Sequence, residues 1–190
     1  MSACPLARRE RDDDPDTSGN PRVAETVDQF EWTLVRILQA PNLETADALL
    51  RTFAEAAEAR AVGKWEQDYT RRLELSAKLS ALMTFHGDID EAARVATDLV
   101  ALPCHRRMSQ LWELVAFARY GLDRRRPEAV WPALLRALKT VELEIPTNEE
   151  WLANQESLRS VLSTIWDAMS QEQRQRHEPY TPRASPTPTP

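Results

Sequence analysis

Glycine is scarce in this chain: four among 190 residues, and each stands alone. A glycine-rich loop that cradles phosphate with its backbone N–H groups therefore has nowhere to form. Cysteine is scarcer still. Cys4 and Cys104 build neither a disulfide framework nor a metal-ligand spacing, and free thiols in a reducing compartment are expected. The three histidines, His86, His105 and His177, are dispersed, and none pairs at helical spacing with another ligand type, so no metal and no other cofactor is expected. Positive charge is not in surplus: 24 Lys and Arg face 30 Asp and Glu, for a net charge of −6. Direct nucleic-acid binding is therefore not expected, because such affinity comes mainly from cationic neutralisation of phosphates. No apolar run approaches the roughly 20 residues that span a bilayer. No apolar segment follows Arg8 and Arg9, so no secretion signal is read and the cytoplasm is the expected compartment.

What is present is apolar in a helical rhythm. Hydrophobic residues make up 42% of the chain and six are tryptophan, enough for the core of one domain with tails. Residues 1–22 hold three prolines and an alternating charge run, and read as a disordered tail. Residues 173–190 become Gln/Arg-rich and then Pro/Thr/Ser-rich, and read as a second, extended tail. A helical-repeat domain is expected over 23–172.

No stretch alternates apolar and polar over a strand's length, so the fold class expected is all-α, with about seven helices. Thr26 and Gln29 form a capping-box pattern ahead of Phe30, Leu34, Ile37 and Leu38, a stripe that ends before Pro41. Asn42 is the expected N-cap of a helix carrying Leu43, Ala46, Leu50 and Phe53, with Gly63 as its left-handed terminator. A long third helix, Lys64 to His86, places Trp65, Tyr69, Leu73, Ser76, Leu79 and Met83 on one stripe. Gly87 terminates it, and Asp88 with Glu91 caps a fourth helix rich in small residues, which Pro103 closes. The fifth helix, His105 to Tyr120, carries Met108, Leu111, Trp112, Val115 and Ala118. Pro127 suits a first helical position, while Pro132 predicts a disturbed first turn with good helix from Leu134 to Leu143. Thr147 and Glu150 announce a closing helix with Leu158, Leu162, Ile165 and Met169.

The corner His86–Ala93 recurs in weaker form at Pro41–Ala46 and Gly121–Ala129. Its small-residue positions Ala46, Ala92 and Ala129 lie 46 and 37 residues apart, against about 34 for a tetratricopeptide repeat. The expected architecture is a degenerate tetratricopeptide-like array of antiparallel hairpins, each needing its neighbours to bury a face.

Catalytic chemistry finds little support. Cys104 and His105 are adjacent, but neighbours at a helix start point apart and no third group orients them. No nucleophile elbow or HExxH pattern occurs, and no enzyme is expected. The large aromatics either fill the core or line a groove that receives a partner, as Trp and Tyr do at interfaces. Trp65, Tyr69, Trp112 and Tyr120 are the candidate partner-binding residues, with Arg72 available to pair with a partner's acidic group or to lie on a solvated face.

From about Thr26 to Ile165 the chain resembles the bacterial transcriptional activator domain, the helical part of SARP-type regulators. The likeness is carried in order by Val27–Glu31, Ala40–Ala46 with Leu49-Leu50, Trp65-Glu66 with Arg71–Glu74, Gly87–Ala92 through Leu99–Pro103, Leu111-Trp112 with Tyr120-Gly121, Pro127–Ala129 and Val141–Pro146. That family places a winged-helix DNA-binding domain before this region, where about 25 residues of acidic sequence stand here. The resemblance therefore implies the regulatory half alone: docking of another protein, with self-association as a further possibility. No role at a membrane is expected, because no apolar run is long enough to span one. The alternative is a tetratricopeptide-like adaptor or immunity-type binding protein without a transcriptional role.

Overall fold

A computed structural model of the chain describes residues 30, 32–61, 63–102, 107–141 and 149–180. Among these the fold is all-helical, and no strand occurs. The described residues form eight helices: α1, described from residue 30 to 38 apart from 31; α2, Leu43–Arg60; α3, Lys64–Thr84; α4, Ile89–Ala101; α5, Arg107–Asp123; α6, Pro127–Val141; α7, Glu149–Ala168; and α8, Gln171–Gln175. They group into two compact units, one from the chain up to Gly87 with Ala101–Arg106, the other from Asp88–Val100 and Arg107 onward. The expected caps at Thr26 and Thr147, the Cys104-His105 pair and Pro103 lie outside the described residues.

In the first unit, the Asn42 side chain accepts the Thr45 N–H at 2.9 Å and starts α2 as expected. Alanines allow α2 and α3 to approach closely: Ala46, Ala77 and Ala81 share a buried cluster with Ile37 and Leu50. A second cluster joins Phe53, Ala57 and Leu73, with the Phe30 and Phe53 rings 5.6 Å apart. The α1 stripe turns out narrower than its periodicity implies. Ile37 is buried and Phe30 and Leu34 pack on the cluster, whereas Leu38, Val35 and Trp32, the last 73% exposed, face outward. The α3 helix is buried on more than one side from Leu73 to Leu82.

Two helix ends share one construction that differs from the expected one. At the end of α3 the Gly87 N–H donates to the Leu82 carbonyl at 2.8 Å and His86 to Met83 at 3.4 Å; at the end of α5, Arg126 donates to Gly121 at 2.8 Å and Arg125 to Leu122 at 2.9 Å. This paired termination needs one left-handed residue. His86 (φ 53°) and Arg125 (φ 56°) supply it, and no described glycine has positive φ. Gly63 is therefore not a left-handed terminator: α2 ends on Ala61 in extended backbone, whose N–H reaches Ala57 and Glu58. Gly87 and Gly121 instead permit close approach, since a Cβ would stand 2.7 Å from Leu82 Cδ2 and 2.5 Å from Val130 Cγ1 respectively. Arg125 is exposed, so its strain is removable. The left-handed penalty of about 1–2 kcal/mol exceeds the extra backbone entropy of glycine. Arg125→Gly should therefore raise stability by about 0.5–1 kcal/mol in urea denaturation.

In the second unit the Asp88 carboxylate accepts the Glu91 N–H at 2.8 Å and caps α4, which buries Ile89, Ala92, Val95, Ala96 and Leu99. The α5 helix packs on both α6 and α7, and α6 packs on α7. The α6 helix runs unbroken from Pro127 through Pro132 to Val141, rather than beginning well at Leu134. Pro132 sits on the exposed side, so the Glu128 carbonyl it leaves without a donor lies on the same outward stripe. The expected tail boundary at 173 falls within α8. Ser170 and Gln173 form a reciprocal capping box for α8, and contacts continue through Tyr180; residues 181–190 lie outside the described part.

Candidate functional site

Almost all of α6 is core: Val130, Trp131, Ala133, Leu134, Leu135, Ala137 and Leu138 are buried. Among the described side chains of α6, Pro132, Arg136 and Lys139 are the exposed ones, at the three-and-four spacing of one helical face. Along that stripe lies an open groove of about 410 Å³, lined by Trp131, Pro132, Leu135, Arg136, Lys139, Thr140, His177 and Glu178.

One rim of the groove is formed by His177 and Glu178, where the chain leaves α8 and runs on as a non-helical strap through Tyr180. The Trp131 indole N–H donates to the Glu178 carbonyl at 2.9 Å, and the Lys139 ammonium meets the Glu178 carboxylate at 2.8 Å. From α7, Arg159 Nε donates to the Tyr180 hydroxyl at 3.2 Å. Trp131 is 2% exposed, and its ring lies 4.8 Å from that of Trp166. The indole is thus an amphipathic anchor, its body in the core and its N–H on the strap.

The strap is led into place by a polar chain. Arg126 bridges Asp90 (3.0 Å) and Glu128, the other Glu128 oxygen accepts Gln173 Nε2 at 2.8 Å, and the Gln173 side chain accepts the Ser170 N–H at 2.8 Å. The Glu128 hydrogen bond first, then Asp90, hold the Arg126 guanidinium above its ordinary pKa, against a partial opposing effect of burial. Arg174 closes the α7 terminus: Nε donates to the Trp166 carbonyl at 2.8 Å and Nη2 to that of Asp167 at 3.0 Å, with the guanidinium 5.7 Å from the Trp166 ring centroid. These are carbonyls that α7 cannot satisfy internally.

Among the described residues, Tyr69, Arg72 and Tyr120 do not line this groove. Tyr69 is half-buried against the Phe53 cluster, and Arg72 is half-buried and already engaged; both belong to the first unit. Tyr120, in the second unit, is only 6% exposed, so its ring is a packing element rather than an open anchor. Trp65 and Trp112 lie on α3 and α5, with side chains outside the described part. Burial holds the Tyr120 phenol above its ordinary pKa; Asp88 adds to that effect and Arg124 opposes it. A phenol whose folded pKa is raised contributes stability that is fully present below the unfolded value, about 10, and lost as pH rises toward the folded one. Urea midpoints should therefore fall further between pH 9 and about 11 in the native chain than in Tyr120→Phe, which has no phenolic proton to lose.

Among the described residues no cluster of three or more His, Cys, Asp or Glu could hold a metal, and no helix is long and apolar enough to cross a membrane. Compared with protein-family models, with curated proteins and with solved structures, the chain matches none of them.

Proposed function

We propose that this chain is a helical regulatory module that works by docking a segment of another protein on the exposed stripe of α6. The observation that carries the reading is that a non-helical segment of the chain already lies there, held by its main-chain carbonyl on a buried tryptophan N–H and by its side chain on Lys139. Main-chain recognition combined with one charged contact is the usual physics of peptide docking. A tetratricopeptide-like arrangement is supported by the identical helix terminations at His86 and Arg125, and by the packing of α5 on both α6 and α7. The likeness of the sequence to the bacterial transcriptional activator domain makes a partner in transcription regulation the first one to test.

A photo-crosslinking residue placed at Pro132 in the full chain, expressed in its native cytoplasm, should yield one discrete protein adduct. That adduct should disappear when Lys139→Glu is added and persist when the charge is reversed at exposed Arg51 on α2. Adducts indifferent to Lys139 would overturn the reading.

A further inference from the structure

Resting on that docking surface, we propose that Glu178-Pro179-Tyr180 is an intrachain ligand of it, and that the partner presents an extended acidic peptide of the same kind, with a further carboxylate for Arg136. The strap shows what the surface recognises. Two helices read two alternate residues: α6 takes the Glu178 carbonyl through Trp131 and its carboxylate through Lys139, and α7 takes the Tyr180 hydroxyl through Arg159. Pro179 between them is exposed and has no N–H to leave unsatisfied; its fixed φ suits an extended backbone, in which residues two apart share a face.

The strap uses the surface only in part. His177 and Glu178 line one rim of the groove, while Pro132, Leu135, Arg136 and Thr140 line the rest. Arg136 is exposed and has no ion-pair partner among the described residues, although it lies three positions from Lys139 on the same helical face. The strap cannot satisfy it, because the residues leading into Glu178 are Arg174, Gln175, Arg176 and His177, with no carboxylate among them. An incoming peptide with acidic residues before its Glu-Pro-Tyr step gains the contact that the strap lacks. The strap is also exchangeable: Lys139 is 49% and Glu178 68% exposed, and an ion pair so open to solvent is a weak restraint. Binding of a partner is therefore a competition between two ligands for one surface, and closure of the strap lowers apparent affinity by the fraction of time the surface is covered.

The test is fluorescence anisotropy with the labelled peptide Asp-Glu-Asp-Glu-Pro-Tyr titrated with three full-length proteins: the native chain, Glu178→Lys, and Glu178→Lys combined with Arg136→Glu. Circular dichroism verifies that each remains helical. The native chain should bind weakly, Glu178→Lys about fivefold or more tightly, and the combined variant at least about tenfold less tightly than Glu178→Lys. A control peptide with lysines at the acidic positions should not bind. Binding that depends on Arg136 but is unchanged by Glu178→Lys overturns the intrachain ligand and leaves the docking surface standing. Absence of binding to every variant overturns the peptide class, while the crosslinking at Pro132 judges the surface separately. A native chain that dimerises in sedimentation, with Glu178→Lys monomeric, overturns the proposal in favour of strap exchange between copies.

Discussion

Gly121→Ala is expected to destabilise the unit containing α5, α6 and α7 by about 1–3 kcal/mol, the usual cost of overpacking. Helix propensity alone predicts the opposite sign, because alanine in a helix interior is favoured over glycine by about 1 kcal/mol. Geometry decides between the two. The added Cβ would lie 2.5 and 2.9 Å from the two γ-methyl groups of Val130, distances that real Cβ atoms do not adopt. Val130 is fully buried, and a β-branched side chain has little freedom at χ1, so neither methyl can swing aside. Gly87→Ala is the informative contrast. Its Cβ meets the ends of two leucines, Leu82 Cδ2 at 2.7 Å and Leu43 Cδ2 at 3.2 Å, which have rotamers to spare, so a loss below about 1.5 kcal/mol is expected there. Urea denaturation followed by circular dichroism gives the magnitudes, and hydrogen exchange shows whether protection falls in α5 and α6. The double variant Gly121→Ala, Val130→Ala should be less damaging than the two single losses added together, as expected for atoms that collide. Equal stability of Gly121→Ala and the native chain would sink the close-approach argument.

The same two glycines show how far local chemistry can be read from residue order. Helix starts at Asn42 and Asp88 were legible because the bond that makes each one reaches only three residues along the chain. The apolar stripes of α3, α4 and α7 were legible for a similar reason, since Leu79, Ala92, Ala96, Leu158 and Ile165 repeat at helical spacing and are buried. The role of Gly87 was not. A glycine after an apolar helix suggests a left-handed turn, whereas that turn falls on His86, and the glycine is needed by a leucine five positions back and another on α2. On α1, periodicity put Leu38 with Ile37, and only the position of the α2–α3 cluster shows that Ile37 goes in while Leu38, Val35 and Trp32 stay out.

The groove beside α6 was the least legible feature, because its parts come from far apart. The contacts that define it join Trp131 and Lys139 to Glu178 across 47 and 39 residues. The composition after Gln173 is polar and proline-rich, which on its own describes a solvated tail. One signal was available: Arg136 and Lys139, with Pro132, repeat at helical spacing on one face of a helix whose middle is otherwise apolar. Aromaticity by itself does not distinguish core from surface. Tyr120 is packed inside, and Trp131, which does reach the groove, presents only its N–H there.

Trp131→Ala should be the most damaging single change, at about 3–5 kcal/mol. Trp131 is among the largest fully buried side chains, it packs 4.8 Å from Trp166, and alanine would leave a cavity where α6 meets α7. The same change removes the donor that holds the strap, so two effects are superimposed. Trp131→Phe separates them, because it keeps most of the ring volume and loses only the N–H to the Glu178 carbonyl. That bond is worth about 1 kcal/mol net, and the carbonyl it leaves is on an exposed residue where water can replace the donor. Trp131→Phe is therefore expected to cost about 1–2 kcal/mol, including the imperfect fit of a smaller ring. Chymotrypsin, which cleaves after aromatic residues, reports on the strap independently. Cleavage after Tyr180 should accelerate in both variants, although only Trp131→Ala should unfold markedly earlier in urea. If Trp131→Phe left the rate of cleavage at Tyr180 unchanged, the indole would be a core residue with no part in holding the strap.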